Sequence, residues 1–257
     1  MTLRIPPVPR RVPAAQALHW LAEGWRLFAA RPLIWLVIAL VGFSALALLS
    51  LVPFVGRVLA MVVLQVLAGG MVAAADHLHE RKELHVAELF EGFRLHAGNL
   101  AIVGLLFGLA LTMAGILTMI VTLIASAIAR IFSHLPFGVD MLVQALFADW
   151  LITAAVTLVV MLALWFAPAL VMLDRRSPFE AMRASFAACI ANPGATAILA
   201  VLIAFGIPTI VTLSLGFGVL LVIPLVATTV YASYRDVFGV EPAPAAGVTP
   251  TPEEPVI

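Results

Sequence analysis

The stretch LDRRSPFEAMRASFAACIANPG, Leu173 to Gly194, gathers an aspartate, three arginines, a glutamate, two serines and the single cysteine of the chain between two long apolar runs. Such residue types could supply a general acid or base from Asp174 or Glu180, a nucleophile from Ser177, Ser185 or Cys189, and a cationic clamp from Arg175, Arg176 and Arg183. Their spacing argues for architecture instead. Ser177-Pro178-Phe179-Glu180 has the form of a capping box, with serine at the N-cap, proline at the first helical position and glutamate reaching back to a free backbone amide. Glu180 and Arg183 are three apart and share a helix face, which makes a modest ion pair. Cys189 falls on the apolar stripe of the same helix and reads as packing, not as a nucleophile. A second polar cluster, DHLHERKELH from Asp76 to His85, is followed by His96. Zinc held on one helix face needs ligands three or four apart. His77 and His79 are two apart and no HExxH is present, so a solvated loop is expected. The residues assign no catalytic group, no cofactor and no metal.

The elements that position these clusters are set by composition. Of the 257 residues, 63% are hydrophobic and 11% charged, and the mean hydropathy is +1.14, whereas soluble domains carry roughly a quarter charged residues. Six apolar stretches follow one another: Leu33 to Val52, Val55 to Ala75, Leu100 to Ala129, Met141 to Leu173, Ala195 to Ser214 and Gly216 to Tyr234. Each has about the 20 residues that cross a bilayer, and helices are the only elements that satisfy their own backbone there without closing into a barrel. The third and fourth stretches are longer than the hydrocarbon core requires, so the middle hairpin must tilt or protrude. No ionisable residue falls near the bilayer centre, where proton relays and gating charges need one; Gly104 and Gly108 at GxxxG spacing, Gln65, Thr112, Thr118, Thr122 and the prolines Pro168, Pro208 and Pro224 read as packing, with a substrate groove at the Pro168 and Pro208 kinks as the alternative. The chain carries 14 basic and 14 acidic residues, without the clustered positive field of a nucleic-acid protein. A lone cysteine rules out an intramolecular disulfide.

Twelve of the fourteen Lys and Arg residues lie before the first stretch, between two and three, between four and five, or after six; Arg57 and Arg130 lie on the other side. The positive-inside bias makes the crowded side cytoplasmic, with both termini inside. Residues 1–13 are expected to be a disordered basic N-terminus with no cleaved signal, 14–238 a single six-span domain, and 239–257 a disordered proline-rich tail.

Each hairpin is preceded by a short amphipathic segment. WRLFAAR (Trp25 to Arg31), FRLHAGN (Phe93 to Asn99) and FAACIAN (Phe186 to Asn192) align without gaps, and Pro32, Leu100 and Pro193 then open the spans. Apolar residues recur three and four apart in each segment, as expected of helices lying in the membrane surface. The predicted fold is therefore an all-α transmembrane bundle of three repeats, each an interfacial helix plus a hairpin.

Pro168-Ala169-Leu170 to Asp174, Ser177-Pro178 with Glu180-Ala181, Ser185-Phe186, and the ending Tyr231-Ala232-Ser233-Tyr234-Arg235-Asp236-Val237-Phe238 resemble a set of uncharacterised six-helix bacterial inner-membrane proteins. The likeness covers about residues 14–238 in layout and extends distantly to the membrane domain fused to some glycerophosphodiester phosphodiesterases, whose catalytic domain has no counterpart here. The resemblance implies a bacterial inner-membrane location and an association with lipids, and it carries over no catalytic residue. The expected function is non-catalytic, through contacts of the cytoplasmic amphipathic helices with membrane lipids or a membrane-protein partner. Arg26, Arg31, Arg94, Arg175, Arg176 and Arg183 would make those contacts, while Ser177 and Glu180 act as a structural cap. A transporter or channel for a neutral or amphipathic solute is the alternative, and a lipid-acting enzyme is third. The sequence assigns no oligomeric state.

Overall fold

The computed structural model describes residues 9–53, 55–131 and 138–239. They form an all-α bundle with no strand among them, and six helical segments are long and apolar enough to cross a membrane. The chain is an integral membrane protein. The disorder expected of 1–8 and of 240–257 lies outside the described residues, whereas 9–13, also expected to be disordered, are fastened to the bundle: Arg10 N donates to Val237 O at 2.7 Å.

Helix α1 (Gln16–Ala30) is amphipathic and lies outside the spans. Helices α2 (Pro32–Ser50) and α3 (Val55–Arg81) make the first hairpin. A 3₁₀ turn (Val86–Phe90) and α4 (Glu91–Leu95) lead into α5 (Ala97–Ile131), which pairs with α6 (Gly138–Leu164). After a break come α7 (Ala167–Met172) and α8 (Pro178–Ala191). The last hairpin is α9 (Pro193–Val201), a π turn (Leu202–Gly206) and α10 (Ile207–Leu213), returning through α11 (Val219–Val237).

The core sits at one end of the bundle, called here the collar end because α1, α4 and α8 surround it. Helix α3 runs through its middle, touching α2, α5, α7 and α11, and every residue from Gln65 to Ala75 except Ala68 is buried. A helix that is apolar all round belongs in such a position. Small residues set the spacing: a Cβ on Gly104 of α5 would lie 2.6 Å from Val62 Cα of α3, so the GxxxG pair Gly104 and Gly108 brings two backbones together. Helix α1 crosses α11 in the same way, with Gly24 against Thr229. Away from the collar the spans expose leucine, isoleucine and phenylalanine along most of their length, surface that a bilayer covers.

Three expectations differ from the structure. The gapless alignment puts the second break at Asn99, but the chain turns at His96 (φ −137°, ψ 29°), as it does at Arg31 (φ −145°, ψ 59°) and Asn192 (φ −125°, ψ 56°). The second segment is also short, a 3₁₀ turn plus one α turn, because it is pulled into the core: Glu88, Leu89 and Gly92 are buried, and a Cβ on Gly92 would lie 2.2 Å from Val66 O. Asp76 to His85 is not a solvated loop through its length. Helix α3 runs on to Arg81, since its polar last turns pack on α11 and the 3₁₀ turn, and it stops where Lys82 takes a left-handed φ of 58°.

Candidate functional site

Proline decides where the bundle opens. Pro168 has no amide hydrogen for the carbonyl four residues back, and the chain breaks at Trp165–Phe166 between α6 and α7. Ser185 of α8, fully buried, repairs the break: its hydroxyl donates to Leu162 O at 2.8 Å and accepts from Phe166 N at 2.9 Å. Pro208 acts in the same way one hairpin later. The Ala204 carbonyl loses its partner and the helix widens into the π turn just upstream. The fifth span, α9 to α10, is the most detached of the six, with 6% of its best window buried against 56% for the second and the sixth spans.

Between the broken fourth span and the detached fifth lies an apolar groove of about 440 Å³, within the range of roughly 300 to 1,000 Å³ typical of small-molecule sites. Helix α6 contributes Trp150, Ala154, Leu158 and Met161 to it, the α6–α7 break contributes Trp165, and the fifth span contributes Leu199, Ala200, Ile203 and Ala204. Trp20, Asn192 and Thr196 line its collar end, and Thr153 and Thr157 of α6 add two hydroxyls along its length. Trp20 Nε1 donates to Asp236 Oδ2 at 2.8 Å. Asn192, 3% exposed, accepts from Val12 N at 2.7 Å and donates to Arg10 O at 2.9 Å. The groove is thus apolar over most of its length, with two α6 hydroxyls within it and its indole and amide groups at the collar end.

A second polar layer closes the core beneath α1 and α8. Tyr231 donates to Asp76 at 2.9 Å and Tyr234 to Asp174 at 2.6 Å. Arg176 Nε is 3.3 Å from Asp174 Oδ2 and its guanidinium lies over the Phe238 ring, while Arg235 meets His79 and stacks over Tyr231. On α3, His77 faces Glu88 at 3.4 Å, and His85 lies 3.6 Å from the same carboxylate. These groups pair with one another across elements, which is how buried charge persists in a core.

The arginines expected to meet lipid divide. Arg31, Arg94, Arg175 and Arg183 are exposed around the collar. Arg26 is exposed as well but pairs with Glu23 at 3.3 Å. Arg176 is drawn inside with Asp174 and is not available at the surface. At Ser177 and Glu180 a capping box opens α8: Glu180 accepts from the Ser177 hydroxyl at 2.7 Å and from its amide at 3.2 Å. Those two bonds hold the Glu180 pKa below its ordinary value. Cys189 lies 3.6 Å from Leu162 O, and burial pushes its thiol up to about 12, which leaves no thiolate for chemistry at neutral pH. The pattern of apolar residues does not reveal the groove, whereas the kinks at Pro168 and Pro208 offer one as the alternative to plain packing. The two prolines mark its flanks, and Asn192 before Pro193 marks its polar end. No protein-family model, no curated protein and no solved structure matches the chain.

Proposed function

We propose that this protein is a non-catalytic, lipid-binding module of a bacterial inner membrane, with both termini and the collar on the cytoplasmic side. The observation that carries the reading is the groove between α6 and α9. It runs along the spans, its lining from Trp150 to Leu199 is apolar but for Thr153 and Thr157, and its indole and amide groups, Trp20 and Asn192, sit at the end where a head group would reside. The occupant that fits this profile is one lipid chain. The amphipathic α1, the apolar side chains Phe179 and Ile190 exposed on α8 and the shorter α4 supply a depth anchor around it, and the exposed arginines of these segments favour an anionic leaflet. The asymmetry of twelve basic residues against two supports the orientation. Against catalysis stand the pairing of Asp76 with Tyr231, the pairing of Asp174 with Tyr234 and Arg176, and the un-ionised Cys189.

One observation favours a second reading. The Pro168 break and the π turn before Pro208 flank the groove on both sides, and breaks of this kind are where helices hinge. A transporter of an amphipathic solute would use them to open and close.

Native mass spectrometry of the detergent-purified protein tests the first reading. The wild type is expected to retain an adduct of lipid mass, and Ala200→Trp, which fills the groove from the α9 side, is expected to lose it. An adduct that survives in the variant places the lipid elsewhere. Saturable flux of a defined solute through reconstituted vesicles would favour the transporter.

A further inference from the structure

Inside a bilayer, moving a lipid chain into an apolar groove gains little over bulk lipid, because the surrounding tails are as apolar as the lining. Discrimination among lipids therefore has to arise at the polar end. There the chain lays its own N-terminal strap, residues 9–13, against two residues of the groove lining. Asn192 bonds Val12 N and Arg10 O, and Val237 accepts from Arg10 N. Gly194 leaves room for the strap, since a Cβ there would lie 2.8 Å from Ala14 Cβ. All three bonds go to backbone atoms, so the strap is positioned without using its side chains.

Those side chains include Arg10 and Arg11, both exposed. Neither joins an ion pair or a side-chain hydrogen bond among the described residues. The carboxylate tied to the same end is Asp236, already engaged by Trp20. Its neighbour Arg235 is occupied by His79 and Tyr231. Two guanidiniums with no partner among the described residues, on a strap bonded to the groove lining beside one bonded carboxylate, make this end of the groove more basic than acidic among those residues, and guanidinium matches phosphate oxygens in charge and in geometry.

We infer that the groove selects an anionic phospholipid, with one acyl chain between α6 and α9 and the head-group phosphate held by Arg10 and Arg11 of the strap. This rests on the groove being a lipid site and adds the class of lipid and the residues that choose it.

The test uses the full-length protein in detergent, with Trp20, Trp150 and Trp165 of the groove as reporters. Phospholipids with brominated chains, one phosphatidylglycerol and one phosphatidylcholine, are titrated separately and saturable tryptophan quenching is read. At low ionic strength the wild type is expected to bind the anionic lipid on the order of tenfold more tightly, a preference that shrinks as salt is raised. In Arg10→Gln/Arg11→Gln the preference is expected to vanish, with affinity for phosphatidylglycerol falling to that for phosphatidylcholine, whose choline cation already offsets the phosphate charge; Arg10→Lys/Arg11→Lys is expected to keep most of the preference. Equal affinity for the two lipids in the wild type, or a preference that survives the glutamine variant, overturns the head-group assignment and leaves the groove reading standing. No saturable quenching by either lipid overturns both. Displacement of the quenching lipid by millimolar glycerol phosphate would show a free-anion site and overturn the assignment to a lipid.

Discussion

At the scale of single residues, the polar groups of the collar work by satisfying one another. Tyr231→Phe removes the hydroxyl that Asp76 accepts from, and Tyr234→Phe does the same to Asp174, whose other oxygen has only the Arg176 contact. Each is expected to cost about 1 to 3 kcal/mol as a buried acceptor left unpaired, read as a lower melting temperature in detergent. Ser185→Ala strips two backbone groups at the α6–α7 break and should fall in the same range; an unchanged melting temperature would refute its role there. Ser177→Ala is expected to cost about 0.5 to 2 kcal/mol as a lost N-cap. The capping box also carries a pH dependence. Because the folded pKa of Glu180 is depressed, its contribution is present above the ordinary glutamate pKa and is lost as pH falls through the folded value. The gap in melting temperature between wild type and Glu180→Gln should close on acidification. This cap was legible in the sequence because Ser-Pro-x-Glu is local. The interior position of Arg176 was not legible, since its partners Asp174 and Phe238 meet it only after α7 and α11 have packed.

At the scale of elements, backbone approach is the fragile feature. A Cβ on Gly70 would lie 2.0 Å from Leu89 O, whereas nothing lies within 4 Å of one on Gly98. Gly70→Ala is therefore expected to abolish the docking of the 3₁₀ turn on α3 and to lower the yield of folded protein sharply. Gly98→Ala is expected to be neutral or to stabilise by up to about 1 kcal/mol through helix propensity. Equal behaviour of the two in detergent-solubilised yield and melting temperature would contradict the packing described. The spans themselves were readable from apolar runs, and their observed ends fall within a few residues of those expected, apart from the extended end of α3. Two things escaped. The polar end of α3 reads as a loop by composition, and its partners on α11 and the 3₁₀ turn keep it helical. The second interfacial segment reads as a copy of the first, yet burial of Leu89 and Gly92 shortens it and moves its break to His96.

At the scale of the whole molecule, a core packed at one end and spans that part toward the other leave the fifth span detached and the groove open to the bilayer. The proposed orientation predicts that single cysteines at positions 57 and 216, on a Cys189→Ala background, react with an impermeant thiol reagent added outside the cell, and that one at position 85 does not. Labelling at 85 from outside would invert the topology. The architecture was legible because hydropathy and the distribution of arginine are properties of the whole chain. The groove was legible only as an alternative to packing at the Pro168 and Pro208 kinks, because its walls and its polar end form only after the fourth and fifth spans are placed. The central claim is that a lipid occupies that gap, and a structure determined in lipid nanodiscs tests it most directly. The account predicts rod-like density between Trp150 and Leu199 whose polar end reaches Asn192 and the strap at Arg10. A fifth span packed directly against α6 with the gap closed, or a groove filled with ordered water, would contradict it.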